Sequence, residues 1–187
     1  MNHVHRSGLP VVIAAMVGAA TLMAAAPETF TATANVKKGG LSATAPVTVN
    51  VTKYATDAER TAAGNAIKQG GTKALQTMLA SKPEVGYLQL GQRRTPIKLA
   101  IERASGGGRL ITVVTSEPIL YLGEGVPQAA PITGYDLALA TFEVQTNGPG
   151  VGDLSPAAKV TMDDKGAFVV DDYGKAVVWL NNIAVKK

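Results

Sequence analysis

Val47, Val49 and Val51 alternate with Thr48, Asn50 and Thr52, the two-residue period of a strand with one buried face. The period then changes. Thr56 followed three residues later by Glu59 is a capping box, so a helix is expected from Asp57. Ala58, Ala62, Ala66 and Ile67 supply its apolar face, Gly70-Gly71 ends or breaks it, and the pattern resumes through Leu75, Met78 and Leu79 until Pro83 stops it. The expectation is two helices or one broken helix over residues 57–81.

From Val85 onward the chain reads as strands and turns. VGYLQLG, TPIKLAIERAS, RLITVVTSEPILYLG, YDLALATFEVQT, AKVTMDD, AFVVDDY and KAVVWLNNIAV are rich in β-branched and aliphatic residues and are separated by glycine-bearing turns. Pro118 inside the third of these marks an edge or a bulge. Short connections favour antiparallel neighbours. The predicted fold is α+β: a curved, mainly antiparallel sheet of about seven to eight strands, extending to a partial barrel. The helix or broken helix pair is inserted after the first strand and packs on one face or end.

Ahead of all this, Leu9 to Ala26 is an uncharged apolar run preceded by Arg6, the pattern of a secretory signal peptide. Two small-x-small sites fit cleavage. Ala24-x-Ala26 would leave Pro27 first, an awkward substrate for a peptidase. Ala32-x-Ala34 avoids this and is preferred. The organisation expected is thus a signal peptide at 1–34, with cleavage after Ala34 or Ala26, a flexible lead-in at 35–43 and a single domain at 44–187. Export to the periplasm or medium follows, with no membrane span once the leader is removed.

That cut decides which chemistry remains. His3 and His5 are the only histidines and there is no cysteine, so the mature chain can build neither Ser-His-Asp nor Cys-His catalysis, and it lacks the usual zinc and copper ligands. Ser-x-x-Lys does not occur. Nor can disulfides brace the fold, and burial must hold it. Removing residues 1–34 takes out Arg6 and Glu28 and leaves the net charge at +4. The positive groups Lys37-Lys38, Arg93-Arg94 and Lys186-Lys187 are scattered and not interleaved with aromatics, which excludes a nucleic-acid platform.

Other candidates reduce to structural roles. Gly148, Gly150 and Gly152 in GPGVGD superficially resemble a phosphate loop, but Pro149 removes a donor and no Lys-Ser/Thr follows, so a turn is expected. SGGGR at 105–109 reads as a hairpin tip. Asn50-Val51-Thr52 matches a glycosylation triplet that chance explains. Asp163, Asp164, Asp171 and Asp172 bracket KGAFVV and are weak candidates for a cation site, with solvated turn charges the favoured reading. Glu102, Glu117, Glu124, Asp136 and Glu143 offer carboxylates for glycoside hydrolysis, with no pair singled out. Trp179, the sole tryptophan, is expected in the core. No metal, cofactor or catalytic residue is assigned.

The segments VGYLQL, IKLAIE, RLITVVTSEPILYL, YDLALATFEVQTNGPGVGDLSPAAKV and VVDDYGKAVVWLNNI, spread over about residues 53–184, resemble a family of signal-bearing exported bacterial proteins, a domain of unknown function. The family often has arginine where this chain has Glu117 before Pro118, which puts a role for positive charge there in doubt. The resemblance implies export and a single domain and names no substrate. The functional expectation is an exported, non-catalytic module that binds a partner or small apolar ligand. The alternative is an envelope structural or interaction protein without a pocket, followed by a carboxylate-dependent hydrolase.

Overall fold

The computed structural model describes residues 26–38, 41–121, 130–162, 168–172 and 178–186. His3, His5, most of the expected leader, Glu124, Asp163, Asp164, Lys165 and Gly166 lie outside these residues. The elements are β1 (Glu28–Lys38), β2 (Leu41–Val51), α1 (Asp57–Ala80), β3 (Gly86–Leu90), β4 (Arg93–Ser105), β5 (Gly108–Thr115), β6 (Leu137–Gln145), β7 (Gly150–Met162), β8 (Phe168–Asp172) and β9 (Val178–Val185).

All neighbouring strands are antiparallel. The order β6-β5-β4-β3-β2-β1-β9-β7 closes through a β6–β7 pairing into an eight-stranded barrel, and β8 extends β7 as a ninth strand. The curved sheet expected from the sequence is therefore a closed barrel. Two expectations need correction. Residues 35–38 and 41–43 are not a lead-in: they belong to β1 and β2, which pair from Glu28↔Val51 to Lys38↔Leu41. The helix consequently follows the second strand. Phe30, Ala34 and Val36 are buried and alternate with threonine and asparagine, and this period was obscured by the smallness of the alanines.

Alternate residues of every barrel strand fill the lumen, among them Phe30, Val47, Val49, Leu88, Ile97, Ile111, Ala140, Phe142, Leu154 and Leu180. Register shifts adjust the curvature. One places an extra residue in β4 between Ile97 and Leu99, so that Ile97 and Ala100 face the lumen while Leu99 and Ile101 face outward. Another places Pro156 and its neighbours opposite Ala138, a bulge being where a strand tolerates proline. A third accompanies Asn182, whose φ of 56° is a left-handed conformation that asparagine adopts more readily than most residues.

The glycines of GPGVGD make closure possible. Gly150 and Gly152 lie within β7, and a Cβ on Gly152 would overlap the Thr141 carbonyl oxygen and Phe142 Cβ. The loop thus delivers the chain into a barrel seam where two backbones nearly touch. SGGGR forms the β4–β5 hairpin tip, with Ser105 opposite Gly108.

Helix α1 lies on the outside wall. Thr56 accepts from the Glu59 amide and Glu59 accepts from the Thr56 amide, a complete capping box. That amide bond holds the Glu59 carboxyl down at about 2. The break falls at Gly70-Gly71, where Gly71 has φ 60° and ψ −147°, a backbone conformation open to glycine. The buried face is Ala63, Ile67, Thr72, Leu75 and Leu79, whereas Ala58 and Ala62 are exposed. The i, i+4 row that contains Ile67 wins because its neighbour Ala63 can lie close to the outward Leu99, Ile101 and Val114.

The second half of α1 is also fastened by polar contacts. Beyond Leu137, the first residue of β6, which lies opposite Ala158, Val160 of β7 would have an unpaired edge. The buried Thr72 hydroxyl takes the missing strand's place, accepting from Val160 N (2.7 Å) and donating to Val160 O (3.0 Å). Gln76 Nε2 donates to the carbonyls of Ser116 (3.3 Å) and Asp136 (3.4 Å). Among the described residues no helix is long and apolar enough to cross a membrane.

Candidate functional site

An eight-stranded barrel suggests a ligand in its lumen, but among the described residues buried side chains pack this one. Phe30 and Phe142 meet edge to face with centroids 5.2 Å apart. The void beside them, bounded by Val49, Leu180 and Ile183, is about 10 Å³, at the threshold for a single water.

A charged cluster closes one end. Glu28 faces the same side of β1 as Phe30, and Arg109 the same side of β5 as Ile111. Arg109 grips both Glu28 oxygens (2.8 and 3.1 Å) and also donates to Glu102 Oε1 (2.7 Å), while Tyr54 Oη donates to Glu28 Oε2 (2.7 Å). The Arg109 hydrogen bonds hold the Glu28 carboxyl below the usual range against the opposing effect of burial. Burial first, and then the bond to Glu28, push the Tyr54 hydroxyl well above its ordinary value. Every charge here has an opposite partner, so the cluster acts as a plug. It joins residues 81 positions apart.

The acids considered for hydrolysis are dispersed. Glu102 belongs to the plug. Glu143 lies on the outer face of β6 and accepts from Ser105 Oγ (2.8 Å). Asp136 precedes β6 and offers its backbone carbonyl to Gln76. Glu117 lines an open pocket of about 260 Å³ with Arg93, Thr95 and Tyr121 at the β3–β4 turn. There Arg93 sits over the Tyr121 ring at 4.7 Å and Arg94 over Tyr87 at 4.2 Å. Of the aspartates proposed for a cation, Asp171 and Asp172 stand on β8 opposite Lys159 and Ala158, and Asp171 Oδ2 accepts from Tyr135 Oη (2.7 Å). Among the described residues no three potential metal ligands cluster.

Trp179 is not a core residue. Its neighbours Val178 and Leu180 point into the lumen, so the pleat turns the indole outward, and it is 56% exposed. It lines neither the lumen void nor the cavity described next.

That cavity lies between α1 and the barrel wall. Ile67, Ala63 and Leu75 roof a slot whose floor is the outward row of Leu99 and Ile101 on β4, with Val114 and Leu139 beside it; its volume is about 70 Å³. The lining is almost wholly apolar. Its two charged members, Arg60 and Arg103, are both positive. Arg60 is paired with Asp57 one turn earlier on the helix. Arg103 continues the Leu99–Ile101 row, exposed, and among the described residues it has no carboxylate within ion-pair distance. Neither arginine was singled out by sequence reading. The available signal was IKLAIER, in which Leu99, Ile101 and Arg103 share one face.

No family model, curated protein or solved structure matches this chain.

Proposed function

We propose that this chain is an exported, non-catalytic binding module that takes a small apolar ligand between α1 and the outer wall of the barrel. The slot carries the proposal: it is a partly enclosed, almost wholly apolar space, whereas the void described inside the lumen is about 10 Å³. Natural interiors leave few voids larger than a water molecule, so an unfilled apolar slot under a broken helix is available to a guest. At about 70 Å³ it has under half the volume of the roughly 150 Å³ cavity that accepts benzene, which limits the guest to a few carbon atoms. Export rests on the leader pattern, and the missing imidazole and thiol groups support a role without catalysis.

The test is a titration of methyl-labelled protein with 1-butanol and 1-pentanol, followed by NMR. Shifts should concentrate on Ile67, Leu75, Val114 and Leu139, with dissociation constants of about millimolar. Ala63→Leu, which adds carbons to the roof, should abolish them. Wild-type protein that shows no saturable shift with either alcohol overturns the proposal. The alternative of an envelope interaction protein without a pocket has the exposed Trp179 in its favour.

A further inference from the structure

Resting on that reading, we infer that the ligand is a short-chain aliphatic oxyanion, with its tail in the slot under α1 and its head at Arg103.

Three observations converge. The slot accepts only a short tail, because its volume of about 70 Å³ corresponds to a few carbons. The charge at its edge has a single sign. Asp57 pairs with Arg60 on the helix. On the barrel wall, the row from Arg103 crosses Leu110 to Glu143, whose carboxylate is bound to Ser105 Oγ. Among the described residues no acid lines the slot, which leaves the Arg103 donors to a guest. The third observation is registry. Arg103 lies two residues beyond Ile101 on the same face, about 7 Å along the strand. A four- or five-carbon acid is somewhat shorter than this from terminal methyl to carboxylate, a gap that the long Arg103 side chain can span.

Arginine suits the task because its fork matches two oxygens of a carboxylate and stays charged at any physiological pH. Packed lumen, paired plug and apolar slot thus assign separate roles to three regions of one small barrel. Arg109 is neutralised by Glu28 and Glu102 and holds the fold. Arg103 is left to bind.

The experiment compares straight-chain carboxylates from ethanoate to decanoate with the matching 1-alkanols and with inorganic phosphate, by the same NMR titration at pH 7 and low salt. Affinity should rise about fourfold per methylene up to four or five carbons and then level off. Pentanoate should bind about tenfold more tightly than 1-pentanol. Arg103→Gln should erase that preference, so that acid and alcohol bind alike, and Arg94→Gln at the opposite end of β4 should preserve it. Added salt should weaken the acid more than the alcohol.

Equal binding of pentanoate and 1-pentanol by wild-type protein would sink the head-group inference while leaving the slot in place. Phosphate as tight as pentanoate, or a gain that continues to decanoate, overturns the short-tailed anion. If neither acid nor alcohol binds, the slot itself is refuted and the inference goes with it.

Discussion

Replacing Phe30 with alanine tests whether β1 is an integral stave of the barrel. Phe30 is 1% exposed and meets Phe142 at 5.2 Å inside the lumen. Deleting a fully buried phenylalanine ring costs about 3–5 kcal/mol, since the walls cannot collapse onto the space it leaves. The lost edge-to-face contact, about 1 kcal/mol, favours the upper half of that range. A domain of this size changes its melting temperature by about 2–4 °C per kcal/mol, so the variant should melt about 10 °C lower. Differential scanning calorimetry on Phe30→Ala, with exposed Val169→Ala as a control expected within about 1–2 °C of wild type, measures this. A loss under about 3 °C for Phe30→Ala would refute the packing described. The result also bears on processing. A leader cut after Ala34 would remove Phe30 and Glu28 from the barrel, so a large loss favours cleavage ahead of Glu28.

Other expectations follow from the same contacts. Glu28 is held below its ordinary value of 4.5, so its contribution to stability is present above that value and is lost as pH falls through the lower folded-state pKa. Glu28→Gln should therefore melt lower than wild type at pH 7, with the gap closing as pH falls below 4.5, as circular dichroism would record; a gap independent of pH contradicts the plug. Thr72→Val leaves both polar groups of Val160 unsatisfied and should cost about 2–4 kcal/mol in urea unfolding, with faster hydrogen exchange at the Val160 amide. Gly152→Ala places a methyl against the Thr141 carbonyl and should prevent barrel closure, seen as lost near-ultraviolet dichroism. Trp179 should emit as a water-exposed indole and be readily quenched by iodide; a blue-shifted, protected spectrum would contradict its place on the wall.

Local chemistry made parts of this fold readable. The Val47–Val51 alternation, the Thr56–Glu59 box, the Gly70-Gly71 break and Pro83 each act within a few residues, and each feature sits where the pattern put it. The β1 strand was misread for want of hydrophobic contrast. ETFTATANV does alternate, but alanine fills half the inward places, and Pro27 and Gly39-Gly40 on either side suggested an irregular segment. Trp179 was misplaced by judging the residue type and not the pleat, since Val178 and Leu180 already claimed the inward positions. Closure was beyond local reading: it depends on Gly150 and Gly152 meeting residues of β6 and β9, contacts whose register no short window contains. The Glu28–Arg109 pairing spans 81 residues and was equally hidden. The slot was hidden as well, because it exists only where a helix row and four strands fail to fill their common space.

Strand β9 has a consequence for biosynthesis. Its eight residues are inserted between β1 and β7, so β1, made early, must wait for a strand about 140 residues later before the ring can shut. Pairings over such sequence distances form late. Until β9 is available, the polypeptide remains an unclosed ribbon whose β1 and β7 edges lack their shared neighbour.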